Sequence, residues 1–255
     1  MLVLRLSPVS LTLARQEDGR IFEHATLQLH PNSSLVELLR EAVATQPVCQ
    51  PLPSEGVVVS VVGNFTPVPL ADFQEEYCDT FYNYSVSPDV KHRAFYDVVP
   101  AANMALLFGL PELTCQMIEE VFGEVRYVSA ITSVVKHMYR RTSGASMFIY
   151  AHEQDATIML MESGKLALLN TYSVQNPDDV AYYALSILSQ FGIKPDMLAL
   201  SIAGHASVRN PMIARLQQFV PKVLPVLPTQ EFNHEIAAEE ALAYDLVTLL
   251  LSKSR

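Results

Sequence analysis

Glycine is scarce in this sequence of 255 residues and is nowhere clustered. The chain has nine glycines, and no two of them lie within about five residues of each other. The phosphate-binding loops of the Walker and Rossmann types need closely spaced glycines, so both are excluded. The Gly-x-Ser-x-Gly and His-Glu-x-x-His patterns of hydrolases and metalloproteases are absent as well.

Cysteine and basic residues are also few. The three cysteines are widely spaced and form no Cys-x-x-Cys pair, so the sequence indicates neither a disulfide framework nor a zinc ribbon. The chain has 17 Lys and Arg against 27 Asp and Glu, for a net charge of -10. Because nucleic-acid phosphates demand a basic face, this charge disfavours a nucleic-acid partner. We expect no bound metal and no cofactor.

No hydrophobic run approaches the ~20 residues that a membrane span requires. Residues 1–16 alternate apolar and polar side chains without a basic leader, which predicts a strand and not a signal peptide. We therefore expect a soluble, cytoplasmic protein without direct membrane insertion. Half of the residues are hydrophobic and the mean hydropathy is +0.20. That value is high for a monomer and favours a protein partner or a homodimer.

The predicted elements occur twice in the same order. Residues 2–29 have the pattern of three short strands, residues 33–44 that of a helix, and residues 57–62 that of a buried strand. Residues 147–202 repeat this order at an offset of about 140 to 145 positions, far longer than the period of a solenoid. The duplicated unit is therefore a domain, and the chain is predicted to have two related lobes.

Local signals place the helices and the buried strand. Ser34 and Glu37 form the pattern of a capping box, and Asn176 with Pro177 is typical of a helix start. Residues 57–62 are a continuous, mostly β-branched run, which indicates a strand buried on both faces in a parallel part of a sheet. These signals predict an α/β fold.

We expect the first lobe to span residues 1–142 and the second to span residues 143–255. A helix over residues 235–252 is expected to pack back on the first lobe. A further helix is predicted to begin at Asn210 and Pro211.

Residues 72–87 combine aromatic and acidic side chains and fit no period, which predicts a surface arm or loop. Amphipathic aromatic residues are favoured at protein interfaces, so this segment is a candidate binding surface. The alternative is a purely structural segment. The interface candidates are Tyr77, Phe81, Tyr82 and Tyr84.

The duplicated order of elements resembles the actin-like ATPase superfamily. Each copy has three antiparallel strands, a helix, a parallel strand and further helices. This superfamily includes actin, sugar kinases, Hsp70-type chaperones and bacterial pilus-assembly and division proteins. Residues 57–70 and 96–111 are most similar to a bacterial family of actin-like proteins of unknown function with degenerate nucleotide motifs. The resemblance implies ribonuclease H-like lobes, each a mixed five-stranded sheet with flanking helices, around a central cleft.

The resemblance also implies a position for nucleotide. The superfamily binds phosphate at an Asp-x-Gly sequence in the first hairpin turn of each lobe, where glycine admits backbone N–H groups and aspartate holds magnesium. Here residues 7–10 have the sequence Ser-Pro-Val-Ser and residues 152–155 have His-Glu-Gln-Asp. Where the superfamily has a Gly-Gly pair that contacts adenosine, this sequence has Gly204 and His205. The cleft candidates are Ser7, Ser10, His152, Glu153, Asp155, Gly204 and His205.

Two functions remain open at this point. The first is a catalytically inactive actin-like scaffold or assembly module without catalytic residues. The alternative is a nucleotide-dependent kinase or ATPase with non-standard phosphate-binding residues, in which Glu153, Asp155 and His205 line the cleft. Residues 152–155 fit two interpretations: a site for metal binding or acid–base chemistry, and a solvated polar turn. His205 fits either a ligand contact at a strand end or a helix cap.

Overall fold

The computed structural model describes residues 1–17, 20–50, 52, 55–86, 89–139, 144–228 and 242–251. The chain forms two compact units. Unit 1 contains the described residues of 1–133 together with 249–251, and unit 2 contains the described residues of 134–248. The predicted lobe boundary at 142/143 lies outside the described residues.

Unit 1 contains a five-stranded and a three-stranded sheet with flanking helices. The five strands lie in the order β3-β2-β1-β4-β8, and the three in the order β5-β7-β6. The elements are β1 (Leu2–Leu6), β2 (Ser10–Glu17), β3 (Arg20–Gln28), α1 (Leu35–Thr45), β4 (Val57–Val61), β5 (Phe65–Pro69), α2 (Cys78–Val86), β6 (His92–Val99), β7 (Met104–Pro111), α3 (Glu112–Phe122), β8 (Val125–Ser129) and α4 (Ala130–Tyr139), which continues into unit 2.

Parallel pairing of β1 with β4 forms the centre of the five-stranded sheet. Leu2 pairs with Val57 and Leu6 with Val61. Every residue of both strands is buried. The continuous run of residues 57–62 predicts this burial for β4. In β1 the polar position Arg5 of the alternating pattern is buried as well. Helix α1 begins at the predicted capping box and packs with α3 on one face of the sheet.

The three-stranded sheet with α2 was not predicted, and the expectation of a loop over residues 72–87 is wrong. Cys78 and Tyr82 lie one helical turn apart, and both are buried against β7. The ring of Tyr82 packs so closely on Gly109 that a Cβ there would lie 2.6 Å from Tyr82 Cε1. The helical period was obscured because only these two positions of α2 are buried.

Unit 2 repeats the five-stranded sheet of unit 1, in the order β11-β10-β9-β12-β13. Helix α5 begins at the predicted cap Asn176, with Pro177 in its first turn. The elements are β9 (Ser146–His152), β10 (Asp155–Glu162), β11 (Lys165–Ser173), α5 (Pro177–Gln190), β12 (Ala199–Ala203), α6 (Ala206–Leu216), β13 (Val223–Pro225) and α7 (Tyr244–Leu251), which continues into unit 1.

The duplication extends to the register of the strands. Thr12 pairs with Thr26 in unit 1 and Thr157 with Thr171 in unit 2, and the hydroxyls of each pair are hydrogen-bonded at 3.1 and 2.8 Å. The strand pairing of both hairpins shifts register at the equivalent position, after Arg15 in unit 1 and after Leu160 in unit 2. These two residues are 145 positions apart, as are Thr12 and Thr157. The prediction of two related lobes is therefore confirmed.

Helix α6 corrects one predicted boundary. The helix begins at Ala206, and Pro211 lies inside it instead of at its start. His205 is the N-cap, so the helix begins a turn earlier than the proline indicated. Of the helix predicted over residues 235–252, the part up to 241 and residue 252 lie outside the described residues. Among the described helices, none combines the length and hydropathy that a membrane-spanning segment requires.

We expect Gly109→Ala to lower the free energy of unfolding by about 1–3 kcal/mol, because the new methyl group overlaps the ring of Tyr82. Gly63→Ala is the matched control, since a Cβ at Gly63 meets nothing within 4 Å. Urea denaturation of both variants measures the difference. Equal stability of the two variants would contradict the packing of Tyr82 on Gly109.

Candidate functional site

The turn between β1 and β2 satisfies its own hydrogen-bonding groups. The backbone N–H of Ser7 donates to the carbonyl of Ser10 at 2.9 Å. The N–H groups of Ser10 and Val9 donate to Ser7 Oγ at 2.9 and 3.3 Å. Pro8 has no N–H group. No backbone donor of this turn therefore remains for an external anion.

The side chains of the two serines also face each other. Ser7 Oγ lies 3.0 Å from Ser10 Oγ, and both residues are buried. The Ser7 hydroxyl oxygen accepts the hydrogen bonds that the N–H groups of Val9 and Ser10 could otherwise offer to an external acceptor. Ser7 and Ser10 are thus brought together, but as partners of each other.

The turn between β9 and β10 carries carboxylates at and beside its tip. Glu153 has a left-handed backbone with φ 53°, and the flanking His152 and Asp155 pair with each other across the hairpin. A phosphate would meet two acidic residues within this turn, and like charges repel. The geometry therefore disfavours anion binding here.

His152 is held on one face of the sheet. Its Nε2 lies 3.2 Å from Thr157 Oγ1, and its ring packs 4.8 Å from that of Tyr150. Thr157 in turn bonds to Thr171 across the neighbouring strand. Over the part of the chain that the structure describes, no three His, Cys, Asp or Glu side chains gather in a way that could hold a metal ion.

Asp155 is half-buried at the start of β10. Burial raises the pKa of its carboxyl above the ordinary value, because desolvation disfavours the charged form. A raised pKa is one property of a general acid or base, but here burial alone accounts for the shift. The shift is therefore a desolvation effect of the hairpin.

The loop after β12 is closed by a tight backbone contact. Gly204 has φ 134°, and a Cβ at this position would lie 2.3 Å from the carbonyl oxygen of Ala151 at the end of β9. Only glycine fits this approach. The contact brings the Gly204 loop beside the turn that follows β9, so the unit 2 candidates share one edge of their sheet.

His205 caps helix α6, as one of the two predicted alternatives proposed. Its Nδ1 accepts from the N–H of Ser207 at 3.4 Å and lies 2.7 Å from Ser207 Oγ. The side chain is thereby directed to its own helix. Its part in ligand binding stays a prediction.

Arg209 is a buried residue of this loop region that the sequence reasoning missed. Its guanidinium donates to the carbonyl oxygens of Gly204 and Val226, both at 3.3 Å. It joins the loop to the strand end at β13. The buried stripe of α6, in which Arg209 precedes Met212 and Leu216 at helical spacing, is the signal that could have identified it.

The aromatic interface candidates divide into two classes. Tyr82 is 2% exposed and belongs to the core beneath α2, so the expectation that it forms an interface is corrected. The other three side chains are exposed by 48% (Tyr77), 46% (Phe81) and 85% (Tyr84). Core packing accounts for Tyr82 and leaves these three at the surface.

The cysteines are not candidate nucleophiles. Cys49, Cys78 and Cys115 are all buried as free thiols. Burial raises the pKa of each to about 11, so that the reactive thiolate is rare at neutral pH.

We expect Ser7→Ala to lower the free energy of unfolding by about 1–3 kcal/mol, because it removes the acceptor of two backbone N–H groups. Ser60→Ala is the matched control: Ser60 is a fully buried serine of the same sheet whose hydroxyl has no partner among the described residues. Chemical denaturation measures both. A loss no larger for Ser7→Ala than for Ser60→Ala would refute the closed turn.

Asp155→Asn should raise the unfolding temperature at pH 7, because it removes a desolvated charge and no described group bonds to this carboxylate. The raised folded-state pKa means that the penalty starts as the pH rises through the unfolded value of about 3.9 and is complete above the folded value. The gain should therefore vanish below about pH 3. Asp196→Asn, at an exposed position, is the control, and a gain that persists in acid would contradict the assignment.

The fold is the actin-like fold. A protein from Bacteroides thetaiotaomicron with actin-like ATPase fold and unknown function matches 98% of this chain and 94% of its own, at a TM-score of 0.82 and 19% identity. A chain of the PilM–PilN type IV pilus biogenesis complex matches 98% of both chains, at 0.59 and 10%. The ethanolamine utilization protein EutJ from Carboxydothermus hydrogenoformans matches 98% of this chain and 88% of its own, at 0.50 and 9%.

No curated protein sequence matches the chain. A family model matches residues 1–223, which is most of its length. The chain therefore belongs to the family DUF3822, whose members are described as proteins of unknown function.

Proposed function

We propose that this actin-like protein works as an interaction or assembly module that does not bind magnesium–nucleotide through its two hairpin turns. The observation that carries the proposal is the turn of residues 7–10, whose N–H groups are all used internally. A phosphate would have to displace the buried Ser7 hydroxyl from two donors. The exchange would leave that hydroxyl without its partners, which is unfavourable in a buried position.

The second turn supports the same proposal independently. A nucleotide phosphate needs donors or a metal ion close to the turn, and residues 153–155 instead supply two acidic residues within one tight turn. Another cleft candidate on this edge, Gly204 after β12, leaves no room for an added group, because the carbonyl oxygen of Ala151 lies directly against it.

A protein partner fits this role. One neighbour of the same fold is part of a complex between PilM and PilN in type IV pilus biogenesis. An actin-like chain of this kind can therefore serve an assembly by contacts with another protein. We propose a partner or a second copy for the present chain, and a cytoplasmic location.

We expect isothermal titration calorimetry with ATP and MgCl2 to show no dissociation constant below about 100 µM, which corresponds to about -5.5 kcal/mol. Titrations with ADP and with MgCl2 alone separate nucleotide from metal binding. An ATP-binding protein measured in the same buffer is the positive control. Saturable binding of magnesium–ATP below that constant would favour the kinase or ATPase alternative instead.

A further inference from the structure

Helix α2 and the 3₁₀ turn that precedes it expose three aromatic side chains. Tyr77 ends the 3₁₀ turn, and Phe81 and Tyr84 follow on α2 at intervals of four and three residues, the spacing of neighbours on a helix surface. A different face of α2 is anchored by Cys78 and Tyr82 in the core of the three-stranded sheet. The exposed rings therefore lie on a supported helix and not on a loop.

The surroundings of these rings are acidic. The sequence has no lysine or arginine between Arg40 and Lys91, a stretch that includes β4, β5 and α2. Four exposed carboxylates accompany the aromatic residues. They are Asp72, Glu75, Glu76 and Asp79.

Two of the four carboxylates have structural bonds. Asp79 accepts from the N–H of Ala94 at 2.8 Å, and Glu75 bonds to the hydroxyl of Tyr96, which raises the pKa of that tyrosine. In the part of the chain that the structure describes, the carboxylates of Asp72 and Glu76 accept no such bond. Within the described residues, no basic side chain forms an ion pair with any of the four. Over that part of the chain, no cationic side chain neutralises their charge.

The exposed aromatic rings and the carboxylates together indicate which class of molecule this surface binds. Exposed aromatic faces attract guanidinium and ammonium groups, and nearby carboxylates attract the same cations. A nucleic acid would be repelled by this face. A second copy docked by two-fold symmetry would place acidic groups against acidic groups, which complementary interfaces avoid.

We propose that the acidic aromatic face, defined as Asp72, Glu76, Tyr77, Phe81 and Tyr84, binds an arginine- or lysine-bearing segment of a partner protein. The inference rests on the proposed function, because it names the class of partner that the interaction module takes. Apolar and aromatic contacts hold the segment on α2, and the carboxylates at its rim orient the cations.

The test uses the whole protein and a synthetic cationic peptide. The chain contains no tryptophan, so a single Trp at the end of a peptide of about four Arg-Leu-Ala repeats reports binding by fluorescence. We expect Phe81→Ser with Tyr84→Ser, and separately Asp72→Asn with Glu76→Gln, to weaken the binding by about tenfold. Raising the salt concentration should weaken the binding further.

Tyr182→Ser with Glu41→Gln is the matched control. Tyr182 is 66% exposed in unit 2, Glu41 is exposed on α1, and neither belongs to the face. This control should change the affinity by less than about twofold. Circular dichroism of every variant confirms that it is folded.

Three outcomes would overturn the inference. One is no binding of the peptide to the wild-type protein, and another is equal weakening by the face variants and the control, which indicates attraction by net charge alone. The third is a dimer in light scattering that Phe81→Ser with Tyr84→Ser dissociates, because a second copy is then the occupant. Calorimetry with magnesium–ATP on the same samples distinguishes the two proposals. If neither the peptide nor the nucleotide binds, only the further inference is overturned. If both the nucleotide and the peptide bind, only the proposed function is overturned.

Discussion

Parallel pairing of the first strand with the strand that follows the helix is the interaction on which each unit depends. In unit 1 this pair is β1 with β4, and in unit 2 it is β9 with β12. The first strand has a neighbour on each side, and every residue of β1 and the five central residues of β9 are buried. Such a strand allows no change of register, because a slip of one residue would move every side chain to the other face. The hairpins, the flanking helices and the strand ends are positioned relative to it.

The fixed register has a direct consequence at the strand ends. The turn after β1 must close within four residues, and the backbone N–H groups of Val9 and Ser10 then donate to the Ser7 hydroxyl. After β12 the chain passes so near to Ala151 that only Gly204 fits. Both positions are used here for packing and internal hydrogen bonds, and the proposed function rests on this use.

The three-stranded sheet and α2 are an addition to the repeated unit, since only unit 1 has them among the described residues. Their core is small and is built around Tyr82 and Gly109. A network links this addition to the main sheet: Arg93 of β6 pairs with Glu112 and Glu119 of α3, and Tyr127 of β8 bonds to Glu119. The addition is therefore held firmly enough to present a defined surface.

The sequence by itself determined the elements whose signals are local. The caps at Ser34 and Asn176, the buried run of β4 and the duplicated order follow from hydrogen bonding and hydrophobic pattern over a few residues. The missing glycines of the two turns could also be read directly. Only the tertiary structure decided what depends on distant neighbours. Helix α2 buries only two of its residues, Cys78 and Tyr82, so the sequence shows no hydrophobic period there. The packing of Tyr82 on Gly109 is a contact between distant residues. The closure of the turn around Ser7 and the burial of Arg209 likewise depend on three-dimensional contacts that spacing in a sequence does not encode.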